Sequence, residues 1–436
     1  MVIIIIMDSS LTIFCTPRSS RIINISNTEL YFIYSIIFII SNIVLFIIVK
    51  SITSNLNKYY YFTILIIQSL LSLILLTIYG QIILNSNYYN IFIFIIAFTS
   101  ISSSIGFLSI LTMKLLRWFS LTPNYSILFY GIAISLFILN TIIGLVYVTQ
   151  ALTTHTDIIR PASCRVMFGS LFNINPEVSI YLSNLYDITS IISFITIWLV
   201  TIFMLKQYSR NIGKIKFWIL VSIPLIFFMT KYEVLLYYFL YDQSLLNIFY
   251  SIRINPSINP IVHIVLDSNL QFGGVFFAIV FLVIAKKIPN RHQIVNSLII
   301  SLIGMMLLFS SKDISTIILP SYPPLGIVGI SFIGLASYLL LVGIYSSATI
   351  AARDITFRKY LFKKVENDTA LLNNIAYAEN EIEIQKNVKS LITYSSQWQE
   401  EQNNQLEMNQ QELKGLINDV ISEVKEKTNK NGKIKK

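Results

Sequence analysis

Residues 327–350 read IVGISFIGLASYLLLVGIYSSATI, a run of 24 positions without a charged side chain. At 1.5 Å per residue, a helix of this length covers about 36 Å, and the hydrocarbon core of a bilayer is about 30 Å thick. An uninterrupted apolar run of this length is typical of a membrane-spanning helix and too long for an ordinary buried core helix. This stretch alone therefore predicts an integral membrane protein. Its small residues Gly343 and Ser347, four positions apart, predict that this span is central in the bundle.

Eight further stretches resemble it in length and apolar character. They are residues 30–49, 61–84, 91–113, 127–148, 188–205, 217–240, 266–285 and 294–309. Together with residues 327–350 they predict an all-α, polytopic bundle of about nine membrane spans. The predicted domain map is an extracellular N-terminal arm (1–29), a transmembrane domain (30–350) and a cytosolic tail (351–436). Met1–Met7 is too short for a span or for the core of a signal peptide, so we expect no cleaved signal.

The composition supports the same class. The chain has 436 residues, of which 55% are hydrophobic and 12% are charged, with a mean hydropathy of +0.68. Soluble globular proteins are about 25% charged. These values exclude an ordinary soluble protein, and they assign no activity.

The net charge of +10 reports membrane orientation. Residues 1–350 carry 18 Lys and Arg against 9 Asp and Glu, whereas residues 351–436 carry 14 against 13. The excess therefore belongs to the hydrophobic part, which argues against a nucleic-acid partner. With the N-terminus outside, 16 basic residues fall on the inner side and 6 on the outer side. Because Lys and Arg are enriched in cytoplasmic loops, this predicts a multi-pass protein of the cell membrane with the C-terminus in the cytoplasm.

Four polar residues within the predicted spans form the candidate intramembrane site. Lys231 and Glu233 lie in the sixth span, Gln68 in the second and Asn140 in the fourth. Ionisable residues in the bilayer are costly, so Lys231 and Glu233 are candidates for gating or substrate binding. The alternative is interhelical pairing or anchoring at the outer interface. For Gln68 and Asn140 the alternatives are a polar path and helix packing.

The sequence predicts no catalytic, cofactor-binding or metal site. No span offers paired carboxylates, a metal constellation or a nucleophile with its base, so we expect no enzyme. Cys15 and Cys164 both fall on the predicted outer side. They form either a disulfide, which persists in that compartment, or two unrelated thiols.

The tail differs from the rest of the chain in composition. Residues 344–414 contain neither Gly nor Pro, so the last span could continue as a helix into the cytosol. Apolar residues recur at helical spacing, as at Leu371, Ile375, Ala378 and Ile382, which predicts an amphipathic, coiled-coil-like helix. A shift of this pattern and the polar residues 399–411 argue against one uninterrupted coiled coil. We expect either a homodimer or a cytosolic protein partner through this tail.

A basic cluster lies where the last span leaves the membrane. It consists of Arg358, Lys359, Lys363 and Lys364, with Tyr360 and Phe362 between them. Each basic residue at an anionic lipid surface contributes about 1 kcal/mol, so the cluster could hold the tail at the bilayer. The alternative is an ordinary stop-transfer flank.

Three features of the C-terminal part carry a family resemblance. They are Pro323-Pro324-Leu325-Gly326, the run GLASYLLLVGIYSSA over residues 334–348, and the helical tail. In these features the chain resembles a group of uncharacterised multi-pass membrane proteins of ammonia-oxidising archaea, over roughly residues 270–395. The resemblance implies an archaeal cell membrane. It assigns no functional residues, because the group has no assigned activity.

Two functional hypotheses follow. The first is a non-enzymatic membrane sensor or scaffold whose last span couples to a partner-binding tail. The second is a transporter or channel for an unidentified solute, motivated by Lys231, Glu233, Gln68 and Asn140. The lipid bilayer is the one partner that both hypotheses require.

Overall fold

The computed structural model describes most of the apolar part of the chain and a short part of the predicted tail. The described residues are 23–52, 58–121, 123, 125–153, 158–159, 176–206, 213–231, 269–288, 292–312, 324, 326–353, 375–376, 378–386 and 388–390.

The described part is helical apart from one pair of short strands. The helices are α1 (Ile23–Ile52), α2 (Lys58–Asn85), α3 (Asn90–Leu121), α4 (Tyr125–Thr153), α5 (Pro176–Lys206), α6 (Lys214–Lys231), α7 (Asn269–Lys287), α8 (His292–Ser310), α9 (Ile327–Ser331) and α10 (Ile333–Arg353). Strands β1 (Tyr88–Tyr89) and β2 (Ile158–Ile159) pair antiparallel, with Tyr88 opposite Ile159. The predicted all-α class is therefore confirmed.

Seven helical segments of the described part are long and apolar enough to cross a membrane. They are Thr28–Ser51, Lys58–Asn85, Asn90–Leu121, Tyr125–Leu152, Tyr181–Lys206, His292–Ser310 and Ile327–Ala352. The predicted sixth and seventh spans correspond to α6 and α7, whose apolar segments are shorter, Phe217–Ile226 and Leu270–Lys286. The seven long helices support a membrane protein, and the count of nine is not established by them.

Helix α5 begins earlier than the sequence predicted. The apolar run predicts a span from residue 188, whereas the helix starts at Pro176, inside the predicted outer loop. Proline is tolerated in the first turn because the backbone N–H that it lacks would have no helical partner there. Hydropathy marked the apolar part of this helix and missed its polar first turns.

Five pairs of neighbouring helices run antiparallel. Tyr31 on α1 donates a hydrogen bond to the Leu75 carbonyl of α2, and the rings of Phe46 and Tyr61 meet further along the same pair. The same holds for four further pairs, α3 with α4, α4 with α5, α5 with α6 and α8 with α10. In each, earlier residues of one helix contact later residues of the other. The bundle is built from antiparallel pairs, as consecutive membrane spans require.

Helices α9 and α10, together called here the core helix, form the core of the bundle. All residues of the most apolar 18-residue stretch of Ile327–Ala352 are buried. In the corresponding stretches of the other six long segments, 33% to 61% of the residues are buried. The central position expected from the small residues Gly343 and Ser347 is thereby confirmed.

The ninth predicted span is interrupted at Phe332. Helix α9 ends at Ser331 and α10 starts at Ile333, while the Phe332 N–H bonds the Gly329 carbonyl in a tighter turn. The Phe332 carbonyl accepts from the Ala336 N–H at 2.8 Å, so the next helix follows directly. Gly326 precedes α9 with a φ of 89°, which glycine adopts without steric cost.

The chain divides into two compact units, Met1–Asn380 and Glu381–Lys436. All helices and strands named above belong to the first unit. That unit also contains Ile375, Ala376, Ala378 and Glu379 of the predicted tail, all of which are buried. In the second unit, residues 381–386 and 388–390 are helical, and the rest lies outside the described residues.

Candidate functional site

Of the four predicted intramembrane candidates, the structure describes the side chains of Gln68 and Asn140. Lys231 ends α6, but its side chain and Glu233 lie outside the described part. The same is true of the candidate disulfide and of the basic cluster, that is, of Cys15, Cys164, Arg358, Lys359, Lys363 and Lys364. These candidates remain predictions.

Gln68 lies on the buried face of α2 and contacts the interruption of the core helix. The side chain is 1% exposed, and its Nε2 donates to the Ser331 carbonyl at 3.3 Å. The carbonyls just before a helix interruption lack some of their helical donors, so an amide from a neighbouring helix can satisfy one of them. Gln68 therefore fixes α2 to the end of α9.

Asn140 lies on α4 and joins three helices. Its Nδ2 donates to the Tyr186 carbonyl at 3.1 Å and to Thr189 Oγ1 at 3.0 Å, both on α5. Its Oδ1 accepts from Lys312, two residues beyond the end of α8. Both amide hydrogens and the oxygen of the buried Asn140 side chain therefore have hydrogen-bond partners.

Lys312 is buried, which the sequence did not reveal. It lies three residues after the apolar run 294–309 and is one of the six basic residues that were predicted on the outer side. It is instead 5% exposed, and its Nζ lies 3.6 Å from the centroid of the Phe137 ring. A cation over an aromatic face is stabilised by the ring quadrupole, most strongly when water is excluded.

The depth of this contact follows from the position of Asn140 on α4. Asn140 lies 13 residues before the end of the helix at Thr153, which corresponds to about 20 Å along its axis. The long, flexible stem of lysine reaches from the end of α8 toward this point. The cluster of Lys312, Asn140, Phe137 and Thr189, called here the Lys312 cluster, is the one described place where a lysine is buried among the helices.

A second polar feature is a line of serines between α3 and the core helix. Ser100 donates to the Ile330 carbonyl at 2.7 Å, and the Ser104 and Ser337 hydroxyls are 2.5 Å apart. Toward the C-terminal ends of the same helices, Lys114 lies 4.6 Å from the ring centroid of Tyr345. These contacts show that α3 and α10 run parallel, and that serines fix their register.

The tail makes a specific contact at the end of α3. Trp118 Nε1 donates to Glu379 Oε2 at 2.8 Å, across 261 residues of sequence. Trp118 is 0% exposed and Glu379 is 7% exposed. Hydrogen bonds to an ionised acceptor are stronger than neutral ones, and a buried carboxylate without a donor would be costly. The part of the tail around Glu379 is therefore held by α3.

Within the described residues, no group of three or more His, Cys, Asp or Glu side chains could hold a metal ion. The polar features of the described part are contacts between helices. They hold helices in register, bury one lysine and attach one segment of the tail. No family model, curated protein or solved structure matches the chain.

Proposed function

We propose that this protein is a non-enzymatic membrane sensor or scaffold, in which the core helix and α3 couple the membrane domain to a partner-binding tail. The observation that carries the proposal is the hydrogen bond between Trp118 and Glu379. Because it joins the end of a transmembrane helix to the tail, a shift of the helices changes the support of that tail segment. The partner is a second copy of the chain or a cytosolic protein.

The proposal includes nine spans. Helix α6 has 18 described residues, about 27 Å of helix, and α7 has 19, about 28 Å, close to the thickness of a bilayer core. Helix α6 runs antiparallel to α5, since Trp198 bonds the Val221 carbonyl while the rings of Phe194 and Phe228 stack. A helix of nearly spanning length that lies antiparallel to a spanning helix is what a further span would look like.

The proposed orientation has the N-terminus outside and the C-terminus in the cytoplasm. The sequence resemblance implies that the cell is archaeal. With helices that alternate throughout the bundle, one set of helix ends carries most of the basic residues of these helices. These are Lys50, Lys58, Lys114, Arg117, Lys206, Lys214, Lys216, Lys286, Lys287 and Arg353. Positive residues on one side favour that side as cytoplasmic. The contact of Trp118 with Glu379 is at this same set of ends, which supports a cytosolic tail with coiled-coil-like segments.

The experiment replaces Trp118 by Phe, which keeps a large ring and removes the donor. Leaving Glu379 without this bond costs about 1–3 kcal/mol, so hydrogen exchange in peptides that cover residues 375–380 should rise about 10- to 100-fold. Glu379→Gln keeps an acceptor oxygen and should raise exchange less. Trp218→Phe, at a position 59% exposed on α6, is the matched control and should change nothing.

The coupling itself is tested by what the tail binds. The wild type and Trp118→Phe are purified from the native membrane, and their oligomeric mass and co-purifying proteins are compared. We expect the oligomer or the partner complement to change together with the exchange. Faster exchange with an unchanged assembly would contradict a sensor or scaffold that works through this contact.

A transporter or channel is the second candidate, and the Lys312 cluster favours it. A lysine buried about 20 Å along a membrane helix is a costly arrangement that membrane proteins often keep for function. Flux of inorganic anions into proteoliposomes that disappears in Lys312→Met would favour this candidate. Equal flux in the wild type, Lys312→Met and empty liposomes would exclude it for those anions.

A further inference from the structure

Two buried amides near the interruption of the core helix have polar atoms that nothing in the described residues satisfies. Asn42 on α1 is 4% exposed, and neither its Nδ2 nor its Oδ1 has a partner there. Gln68 on α2 uses its Nε2 on the Ser331 carbonyl, while its Oε1 has no partner in the described part. Buried polar atoms are almost always hydrogen-bonded, so each exception needs an explanation.

The contacts of α1 bring Asn42 to the same place as Gln68. The ring of Phe38, one turn before Asn42 on the buried face of α1, meets the ring of Phe332 with centroids 4.6 Å apart. Gln68 bonds Ser331, the residue next to Phe332. Asn42 and Gln68 therefore approach the interruption from two different helices.

The register of α1 on α2 gives the same result. The hydroxyl of Tyr31 bonds the Leu75 carbonyl, and the ring of Phe46 meets that of Tyr61. Between these two contacts, Asn42 is level with residues near Ile64, about one helical turn from Gln68. Two amides at this separation on neighbouring helices can share one bridging molecule.

The residues around this place limit the chemistry of such a molecule. Among the buried side chains described on α1, α2 and α9, there is no Lys, Arg, His, Asp or Glu. The unsatisfied atoms are one amide donor and two amide oxygens, so the molecule must both donate and accept. It is therefore small and uncharged, and a buried water, which typically makes about three hydrogen bonds, is the smallest that fits.

We propose that Asn42 and Gln68 form a binding site for a small uncharged molecule with hydrogen-bond donor and acceptor groups, at the interruption between α9 and α10. The molecule is either water or a small neutral solute, and both would use the same three amide atoms. The site is separate from the Lys312 cluster and from the contact between Trp118 and Glu379. Failure of the tail-coupling proposal would leave it unaffected.

The deciding variant is Asn42→Leu, which keeps the approximate shape of the side chain and removes its polar atoms. If the site is empty, the variant removes an unsatisfied polar group, and the melting temperature should stay the same or rise. If the site is occupied, the variant removes hydrogen bonds, and the melting temperature in detergent should fall by about 3 °C or more. An unchanged or higher melting temperature would overturn the proposal.

Ser35→Ala is the matched control on the same buried face of α1. The Ser35 hydroxyl bonds the Tyr31 carbonyl of its own helix at 2.9 Å, so its loss leaves nothing in the proposed site unpaired. Gln68→Leu tests the second amide. Because both amides hold one molecule, the double variant with Asn42→Leu should lose less stability than the sum of the single losses. Additive losses of stability would mean that the two amides do not bind the same molecule.

Hydroxyl-radical labelling of the wild type by X-ray radiolysis distinguishes the two sources. Water at the site should label the buried rings of Phe38 and Phe332. Destabilised Asn42→Leu without such labelling identifies a solute that excludes water. Should Asn42→Leu fail to yield folded protein, the smaller Asn42→Val takes its place, and an unchanged or higher melting temperature of that variant would overturn the proposal.

Discussion

Two contact regions within the bundle hold helices together by different means. In the glycine seam, where α8 meets α10, a Cβ added to Gly343 would lie 2.5 Å from the Ser301 nitrogen and 2.6 Å from the Ser297 oxygen. The aromatic cluster consists of Phe194 on α5, Phe228 on α6, Phe277 on α7 and Phe309 on α8. In it, the rings of Phe194 and Phe228 stack with centroids 3.7 Å apart. One region brings backbones together, and the other fills a wider gap with rings.

The difference shows what each region can tolerate. A Cβ added to Gly273 in the aromatic cluster would come 2.5 Å from Phe194 Cε2, so it would displace the end of a side chain and not a backbone atom. A backbone atom cannot turn away, so the glycine seam has no such freedom. Lipid is as apolar as the side chains, so helices associate in membranes through close packing and hydrogen bonds. The seam should therefore be the more sensitive region.

The largest expected effect is that of Gly343→Ala in the seam. The added methyl group must push α8 and α10 apart, which should cost more than about 3 kcal/mol or prevent folding. Gly106→Ala on α3 is the matched control, because nothing lies within 4 Å of its added Cβ and alanine favours helix. The free energy of unfolding is measured by SDS titration. Equal stability of the two variants would show that backbone approach does not distinguish the seam.

The second largest effect on the free energy of unfolding is expected in the Lys312 cluster, where a buried cation joins the helices. Asn140→Leu removes one acceptor of Lys312 and should cost about 2–4 kcal/mol, since a charged group loses a hydrogen bond inside the bundle. Lys312→Met should cost less, because it removes the charge together with its need for a partner. The double variant should be more stable than Asn140→Leu alone, as measured by the same titration. A double variant with the summed loss would argue against direct coupling.

The smallest effect is expected in the aromatic cluster. Phe228→Leu removes the stacked ring but keeps an apolar side chain, and should cost about 1–2 kcal/mol. Phe203→Leu, at a position 48% exposed on α5, is the control and should be near neutral. Gly273→Ala should cost less than Gly343→Ala by the same measure. A loss at Gly273 as large as that at Gly343 would remove the contrast between the regions.

The sequence predicted the parts of the fold that depend on local composition. The apolar run at 327–350 and the small residues Gly343 and Ser347 correctly predicted a central helix, since their consequences lie within one segment. The interruption at Phe332 was missed, because neither proline nor a polar run marks it. The start of α5 was missed because hydropathy reports apolar length only.

The long-range contacts could not be predicted from one sequence. Asn140 was marked as a polar residue of the fourth span, but its partner Lys312 is 172 residues away. Glu379 carried no signal at all, because one carboxylate among many in a mixed-charge tail does not reveal its donor, Trp118. Such pairs depend on how helices are arranged around each other, and helical periodicity within one segment contains no information on that arrangement.

The glycine seam also limits how the core helix can move. Successive residues of a helix are 100° apart, so turning α10 by one residue would replace Gly343 at the contact with Val342 or Ile344. Neither side chain fits where even a methyl group meets backbone atoms. Rotation of α10 against α8 is therefore excluded, and the two helices must tilt or shift as one rigid pair. A displacement of α8 near Lys312 would therefore move α10 with it.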